Sequence, residues 1–247
     1  MSELEFYEKV KNWDFSMINY SKDCLTDWDL YKLLNLYSNS ESKILDLGTG
    51  GGEKVLKYFP ECQEIVATDF SKEMINTANN SLKESGKKNI VFRQMDNLNM
   101  DTPDDYFDIV VARHTPIDAK QIYKTLKPGG RLLLRGVDKL DCWSLKLLFG
   151  RGQGYNAEKP ISVIDYESIL KAGFKSVELV PIHIREYYKT KNDLLALLLK
   201  TPILCDFSET EENEKLNLNI LDEYIKTHSY EKGILLIRRY YGITARK

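Results

Sequence analysis

The chain has 247 residues, 43% hydrophobic and 29% charged, with a formal net charge of −2. This is the balance of an ordinary folded protein, long enough for one large domain or a domain with a small cap. Near-zero charge supplies no global pull toward nucleic acid. No apolar stretch is long enough to span a bilayer; the best, 194–199, is bounded by Lys191 and Lys200.

The first residues, Met1-Ser2-Glu3-Leu4-Glu5, lack the basic-then-apolar order of a signal peptide, so a cytoplasmic protein is expected. Cys24, Cys62, Cys142 and Cys205 are scattered, with no C-x-x-C, and read as free, mostly buried thiols; no metal site is expected.

In chain order, residues 1–40 carry Phe6, Tyr7, Val10, Trp13, Phe15, Ile18 and Tyr20 at mixed spacings, then Leu30, Leu33, Leu34 and Leu36 at helical ones. Two or three short helices are predicted here, with Asp27 or Asp29 as N-cap of the later part. An apolar run from Lys43 then ends at Asp46-Leu47 and breaks into Gly48-Thr49-Gly50-Gly51-Gly52-Glu53 before a helical pattern. A strand, a tight turn and a helix N-terminus let backbone N–H groups approach a ligand closely.

The glycines fall as G-x-G-x-G, and the dinucleotide fingerprint G-x-G-x-x-G fails because position 53 is Glu53. Asp46 and Glu53 place negative charge beside the turn, which disfavours a pyrophosphate and favours a sulfonium or an ammonium. Asp69 closes the next strand, 63–68, about 20 residues beyond the first glycine, where an acid can take a ribose diol.

Ser71 is predicted to cap a helix to about Ser85, ended by Gly86. Strand 89–94 leads into Asp96-Asn97. The uninterrupted apolar run 107–112 reads as a strand buried on both faces and ends at Arg113-His114-Thr115-Pro116. Helix 118–126, a Lys127-Pro128-Gly129-Gly130 turn and strand 131–135 follow. Residues 140–149 suit a helix, and 150–155 a mobile loop over the substrate entrance. A helix 162–172 capped by Ser162 and a long strand 174–188 come next. Residues 190–228 hold two helical stretches before the last strand, 233–241. Arg238 and Arg239, as strand neighbours facing opposite ways, read as a solvated face.

Residues 44–53, Asp69, Phe107-Asp108-Ile109-Val110-Val111 and Leu126-Lys127-Pro128-Gly129-Gly130-Arg131-Leu132 together resemble the ordered motifs of class I S-adenosylmethionine-dependent methyltransferases, over roughly residues 40–136. Within that superfamily the chain is similar to a bacterial group of uncharacterised methyltransferases, on Trp13-Asp14-Phe15-Ser16, Arg113-His114 and Lys200-Thr201-Pro202-Ile203.

The resemblance implies an α/β fold: a Rossmann-like, mostly parallel seven-stranded sheet with helices on both faces. A helical cap or lid at 1–40 and a helical insertion at about 190–230 flank it, the main domain being 41–247. It implies S-adenosyl-L-methionine as cofactor, held by Asp46, Gly48, Thr49, Gly50, Gly52, Asp69, Phe70, Met74, Asp96, Asn97 and Arg113. Trp13, Tyr187 and Tyr188 are expected toward the substrate.

His114 is the candidate base, or else a packing residue; Arg113 orients a carboxylate or closes an ion pair. A small-molecule acceptor is expected. The alternatives are an RNA methyltransferase, which needs a basic face, and a non-catalytic cofactor-binding protein; an NAD oxidoreductase fits least.

Overall fold

The structure, a computed structural model, describes residues 15–204, 207 and 211–247. Trp13 lies outside the described residues. The strands are β1 (Tyr20–Cys24), β2 (Lys43–Leu47), β3 (Glu64–Asp69), β4 (Ile90–Gln94), β5 (Phe107–Arg113), β6 (Leu126–Val137), β7 (Lys175–Tyr188), β8 (Ser229–Tyr230) and β9 (Gly233–Arg246). The helices are α1 (Leu30–Tyr37), α2 (Glu53–Tyr58), α3 (Lys72–Ser85), α4 (Ala119–Thr125), α5 (Trp143–Phe149), α6 (Ile161–Ala172), α7 (Lys191–Lys200) and α8 (Glu211–His228).

One sheet runs through the molecule in the order β1-β7-β9-β6-β5-β2-β3-β4, with β8 on β9. The five strands from β4 to β6 pair in parallel, and β9 runs antiparallel between β6 and β7. The fold is therefore the expected Rossmann-like α/β type, but among the described residues the sheet has nine strands rather than seven.

One addition is β8. The other corrects the N-terminal reading: Tyr20–Cys24, expected within a helical cap, is a strand paired antiparallel with β7. Its segment, YSKDC, has no apolar alternation because four of its five side chains are exposed. An edge strand with little to bury leaves little trace in hydrophobic pattern.

Helices cover both faces. On one, Leu30 and Leu34 of α1, Val55 of α2 and Ala78 of α3 pack onto Ile44, Ile65, Ile109, Val111 and Leu133. On the other, Ala119 and Ile122 of α4 and Ile169 of α6 pack onto Leu45, Leu47, Val110, Leu132, Leu134 and Ile243. Burial on both faces is why β5 reads as an unbroken apolar run.

Asp29 caps α1, accepting from the Tyr31 and Lys32 N–H groups, and Ser71 caps α3. Ser162 caps nothing: α6 begins one residue earlier, after Pro160, and the Ser162 hydroxyl donates to Asp138. Lys127-Pro128-Gly129-Gly130 is a bulge within β6, where pairing jumps from Phe107↔Leu126 to Ile109↔Arg131.

β6 stops at Val137, opposite Tyr240, while β7 and β9 continue together to Tyr188↔Ile234. This two-stranded flange carries a core of its own. Leu145 of α5, Leu194, Leu197 and Leu198 of α7, and Leu221 and Tyr224 of α8 bury Tyr188, Ile234 and Leu236. The loop 150–155, expected to be mobile, is tied down beneath it. The buried Lys146 ammonium donates to the Gln153 carbonyl at 2.7 Å, and the Gln153 N–H donates to the Ile203 carbonyl at 3.1 Å. Of the described cysteines only Cys142 is buried; Cys24 is exposed and Cys62 half-buried.

Candidate functional site

The turn after β2 is built on three glycines in the left-handed region, Gly48 at φ 76°, Gly50 at 60° and Gly52 at 80°. Other residues resist that region. Space imposes the same limit: a Cβ on Gly48 would sit 2.7 Å from Thr115 Cβ, and one on Gly52 2.8 Å from the Phe92 ring. The Gly48 and Thr49 N–H groups donate to the Thr68 carbonyl at 2.9 Å, and the Gly50 N–H donates to Asp69 Oδ2 at 2.9 Å. Asp69 Oδ1 accepts from the Ser71 N–H, so this one carboxylate holds the glycine turn and the start of α3 together. Burial raises its pKa, against these N–H contacts.

Asp46, the last residue but one of β2, is 5% exposed. Burial raises its pKa to about 7, opposed chiefly by the Arg113 charge. Thr49 lies beside this carboxylate, yet its buried hydroxyl reaches hydrogen-bond geometry with nothing.

Asp96 is exposed, with Oδ1 accepting from the Leu98 N–H and Oδ2 left open. Phe70 stands on the lip, 52% exposed. The Met74 and Asn97 side chains are buried. Met74 is 1% exposed, under the first turn of α3. Asn97 is buried and spends its amide internally, donating to Thr115 Oγ1 at 2.8 Å and accepting from Thr68 Oγ1 at 3.4 Å. It ties the β3, β4 and β5 ends together.

Thr115 packs on Gly48, so the segment after β5 is brought directly onto the glycine turn. His114 there is left-handed, φ 55°, with its N–H donated to the Arg135 carbonyl at 2.8 Å. Its ring stacks on Tyr240, centroids 5.3 Å apart and planes 7° from parallel. Burial pushes its pKa well below 6.5, and Arg113, Arg135 and Arg238 push the same way. The residue is exposed overall, which tempers the burial effect; the three charges act regardless, so the direction stands.

The substrate expectation for Tyr187 and Tyr188 is not met. Tyr188 is 1% exposed in the flange core, its hydroxyl donating to Glu186 at 2.6 Å, and Tyr187 lies under the Lys232 ammonium. β7 is four sheet positions from β2, roughly 19 Å at the usual strand spacing. Arg238 is not solvated either. It is buried, bound to Asp141 through Nε at 3.0 Å and Nη2 at 3.1 Å, and to Glu186 at 3.2 Å. A surface cleft of about 320 Å³ lined by Ser144, Leu148, Tyr224 and His228 holds none of the motif residues.

The sequence family described as "Methyltransferase domain" matches residues 38–148, the stretch that builds this turn and its neighbours. Over residues 38–148 the chain is similar to methyltransferase domains. It is 32% identical over 102 residues to the uncharacterized methyltransferase YcgJ of Bacillus subtilis, covering 38% of this chain and 40% of that one. It is 32% identical over 103 residues to the ubiquinone/menaquinone biosynthesis C-methyltransferase UbiE of Vibrio vulnificus, covering 37% and 40%. The chain thus spans about 40% of the length of these relatives.

The fold extends further than the sequence match. The crystal structure of the Bacillus YcgJ protein superposes with a TM-score of 0.60 at 20% identity, over 88% of this chain and 97% of that one. The cyclase SpnF superposes at 0.56 and 18% identity, over 88% and 80%. Beyond residues 38–148, sequence reasoning missed Tyr240, on which His114 and Arg135 pack, and the buried pairing of Arg238. No local motif marks them.

Proposed function

We propose that the protein is an S-adenosylmethionine-dependent methyltransferase acting on a small molecule. The observation that carries this reading is the pair of acids at the glycine turn, Asp69 held by the Gly50 and Ser71 N–H groups and Asp46 buried at the end of β2. S-Adenosylmethionine, when bound, supplies an activated methyl group on a sulfonium.

Asp69 has lone pairs left for ribose hydroxyls. Asp96 Oδ2 accepts from the adenine amine, with the Asn97 backbone N–H for a ring nitrogen. Asp46 takes the ammonium, Arg113 the carboxylate, and Gly48, Thr49, Gly50 and Gly52 let the backbone approach closely. Holding donor and acceptor in line supplies a large share of the rate. His114, kept neutral by its surroundings, accepts the acceptor's proton. Similarity to UbiE and a net charge of −2 support a small acceptor over RNA.

Isothermal titration with S-adenosylmethionine tests the reading. Asp69→Ala removes two charge-assisted hydrogen bonds to the ligand, about 1.5–3 kcal/mol each, so affinity should fall on the order of 100-fold or more. Unchanged affinity would defeat the assignment. Binding without turnover on any acceptor would favour a non-catalytic binding protein, and turnover only on RNA the nucleic-acid alternative.

A further inference from the structure

Arg113 and Arg135 are partners across the β5–β6 ladder, so their side chains leave the same face of the sheet about 4.8 Å apart. Asp46 stands on that face too, one strand toward the glycines, opposite Val111. Like charges directly opposite on a sheet repel. Neither guanidinium makes an ion pair within 4 Å or a hydrogen bond among the described residues; Arg135 has only the face of the Tyr240 ring, and its Nε is buried without a hydrogen-bond partner. Arg238, the third cation of the group, is by contrast fully paired with Asp141 and Glu186. Asp46 lies diagonal to Arg113, one strand away, and two strands from Arg135.

The order across the sheet is Asp46, Arg113, Arg135. If the donor's aminoacyl end engages Asp46 and Arg113, as the proposed function has it, one guanidinium remains a strand further from the glycine turn. That guanidinium lies 4.6 Å over the Tyr240 ring, the ring on which His114 stacks. The spare cation and the candidate base are thus held against one aromatic side chain. Arg135's carbonyl also accepts the His114 N–H, so the two residues keep a fixed spacing.

We propose that the methyl acceptor is a small molecule bearing an oxyanion, a carboxylate or a phosphate, and that Arg135 holds this group while His114 faces the atom to be methylated. This rests on the donor assignment above. The anion neutralises a repulsive pair, which is why Arg113 and Arg135 are tolerated side by side. Arg135 touches substrate and sets specificity; it takes no part in the proton transfer.

The test is calorimetric, on the full chain saturated with S-adenosylhomocysteine, with benzoate, phenyl phosphate and neutral benzamide as probes. At least one anion is expected to bind and benzamide not. Arg135→Met should weaken the anion about tenfold or more while S-adenosylhomocysteine affinity is kept, and Arg135→Lys, which keeps the charge without the fork, should fall between. Phosphate and carboxylate are told apart by which probe binds. As a second measure, the low-molecular-weight fraction of a cell extract is passed over an anion exchanger before incubation with labelled donor; acceptor activity should stay with the bound fraction.

Equal binding of benzamide, no anion binding in the cofactor-loaded wild type, undiminished anion binding in Arg135→Met, or acceptor activity in the flow-through overturns the inference alone. Failure of the wild type to take S-adenosylhomocysteine overturns the donor reading, and this inference with it.

Discussion

Replacing Arg238 by methionine should cost more than any surface change in this protein. The guanidinium donates to Asp141 through Nε and Nη2 and to Glu186 through Nη1, with side-chain exposures of 10%, 1% and 9% for the three groups. The remaining valences are also filled: Asp141 Oδ1 accepts the Arg239 N–H at 2.8 Å and Glu186 accepts the Tyr188 hydroxyl. Methionine fills similar space but strands two buried carboxylates. Breaking a buried pair this way costs about 3–5 kcal/mol, chiefly the penalty of the charge left behind. With an unfolding entropy of about 2.1 cal/mol/K per residue, a chain of this length has a ΔS near 0.5 kcal/mol/K, so Tm should drop by about 6–10 °C. Thermal unfolding followed by circular dichroism reads this directly. Adding Asp141→Asn and Glu186→Gln removes the stranded charges and should recover about half of the loss. A drop below about 3 °C for the single variant, or a triple variant less stable than the single, refutes the argument.

Donor affinity should depend on pH through Asp46, whose folded pKa of about 7 stands above its ordinary 3.8. The raised value means that folding favours the neutral acid: that contribution to stability is full below the unfolded pKa and is lost as pH rises through 7. A cationic ligand needs the ionised form, so titration should show affinity falling about tenfold per pH unit below 7, with a flat profile in Asp46→Asn. Parallel profiles in the two proteins would exclude the contact. His114 has the opposite sign: its pKa lies well below 6.5, so its contribution to stability is full above that value and is lost as pH falls through the folded pKa. Turnover at saturating donor should therefore hold steady down through pH 6.5, and His114→Asn should keep donor affinity while losing turnover. An acid limb centred above 6.5, or full turnover in the variant, removes His114 from the mechanism.

The parts of the fold legible in the sequence are those set by neighbours along the chain. Gly48, Gly50 and Gly52 announced their turn because left-handed backbone excludes a Cβ, and all three adopt it. Asp29 and Ser71 could be read as caps because a cap satisfies N–H groups two or three residues on. β5 showed itself by burial on both faces. The motifs around it also carried the class of protein.

What the tertiary structure alone decided involves partners far apart in sequence. β1 is a strand because β7 lies beside it, though Tyr20 and its partner Tyr188 are distant in the chain and β1 has almost nothing to bury. Arg238 looks like a solvated residue until Asp141 and Glu186 close on it, and the Asn97 side-chain amide finds its partners in Thr68 and Thr115. Arg113 and Arg135 meet only across the parallel ladder. Periodicity and capping are short-range sterics and hydrogen bonding, written in consecutive residues; which charges end up facing one another depends on how the strands are ordered, and no window of sequence contains that order.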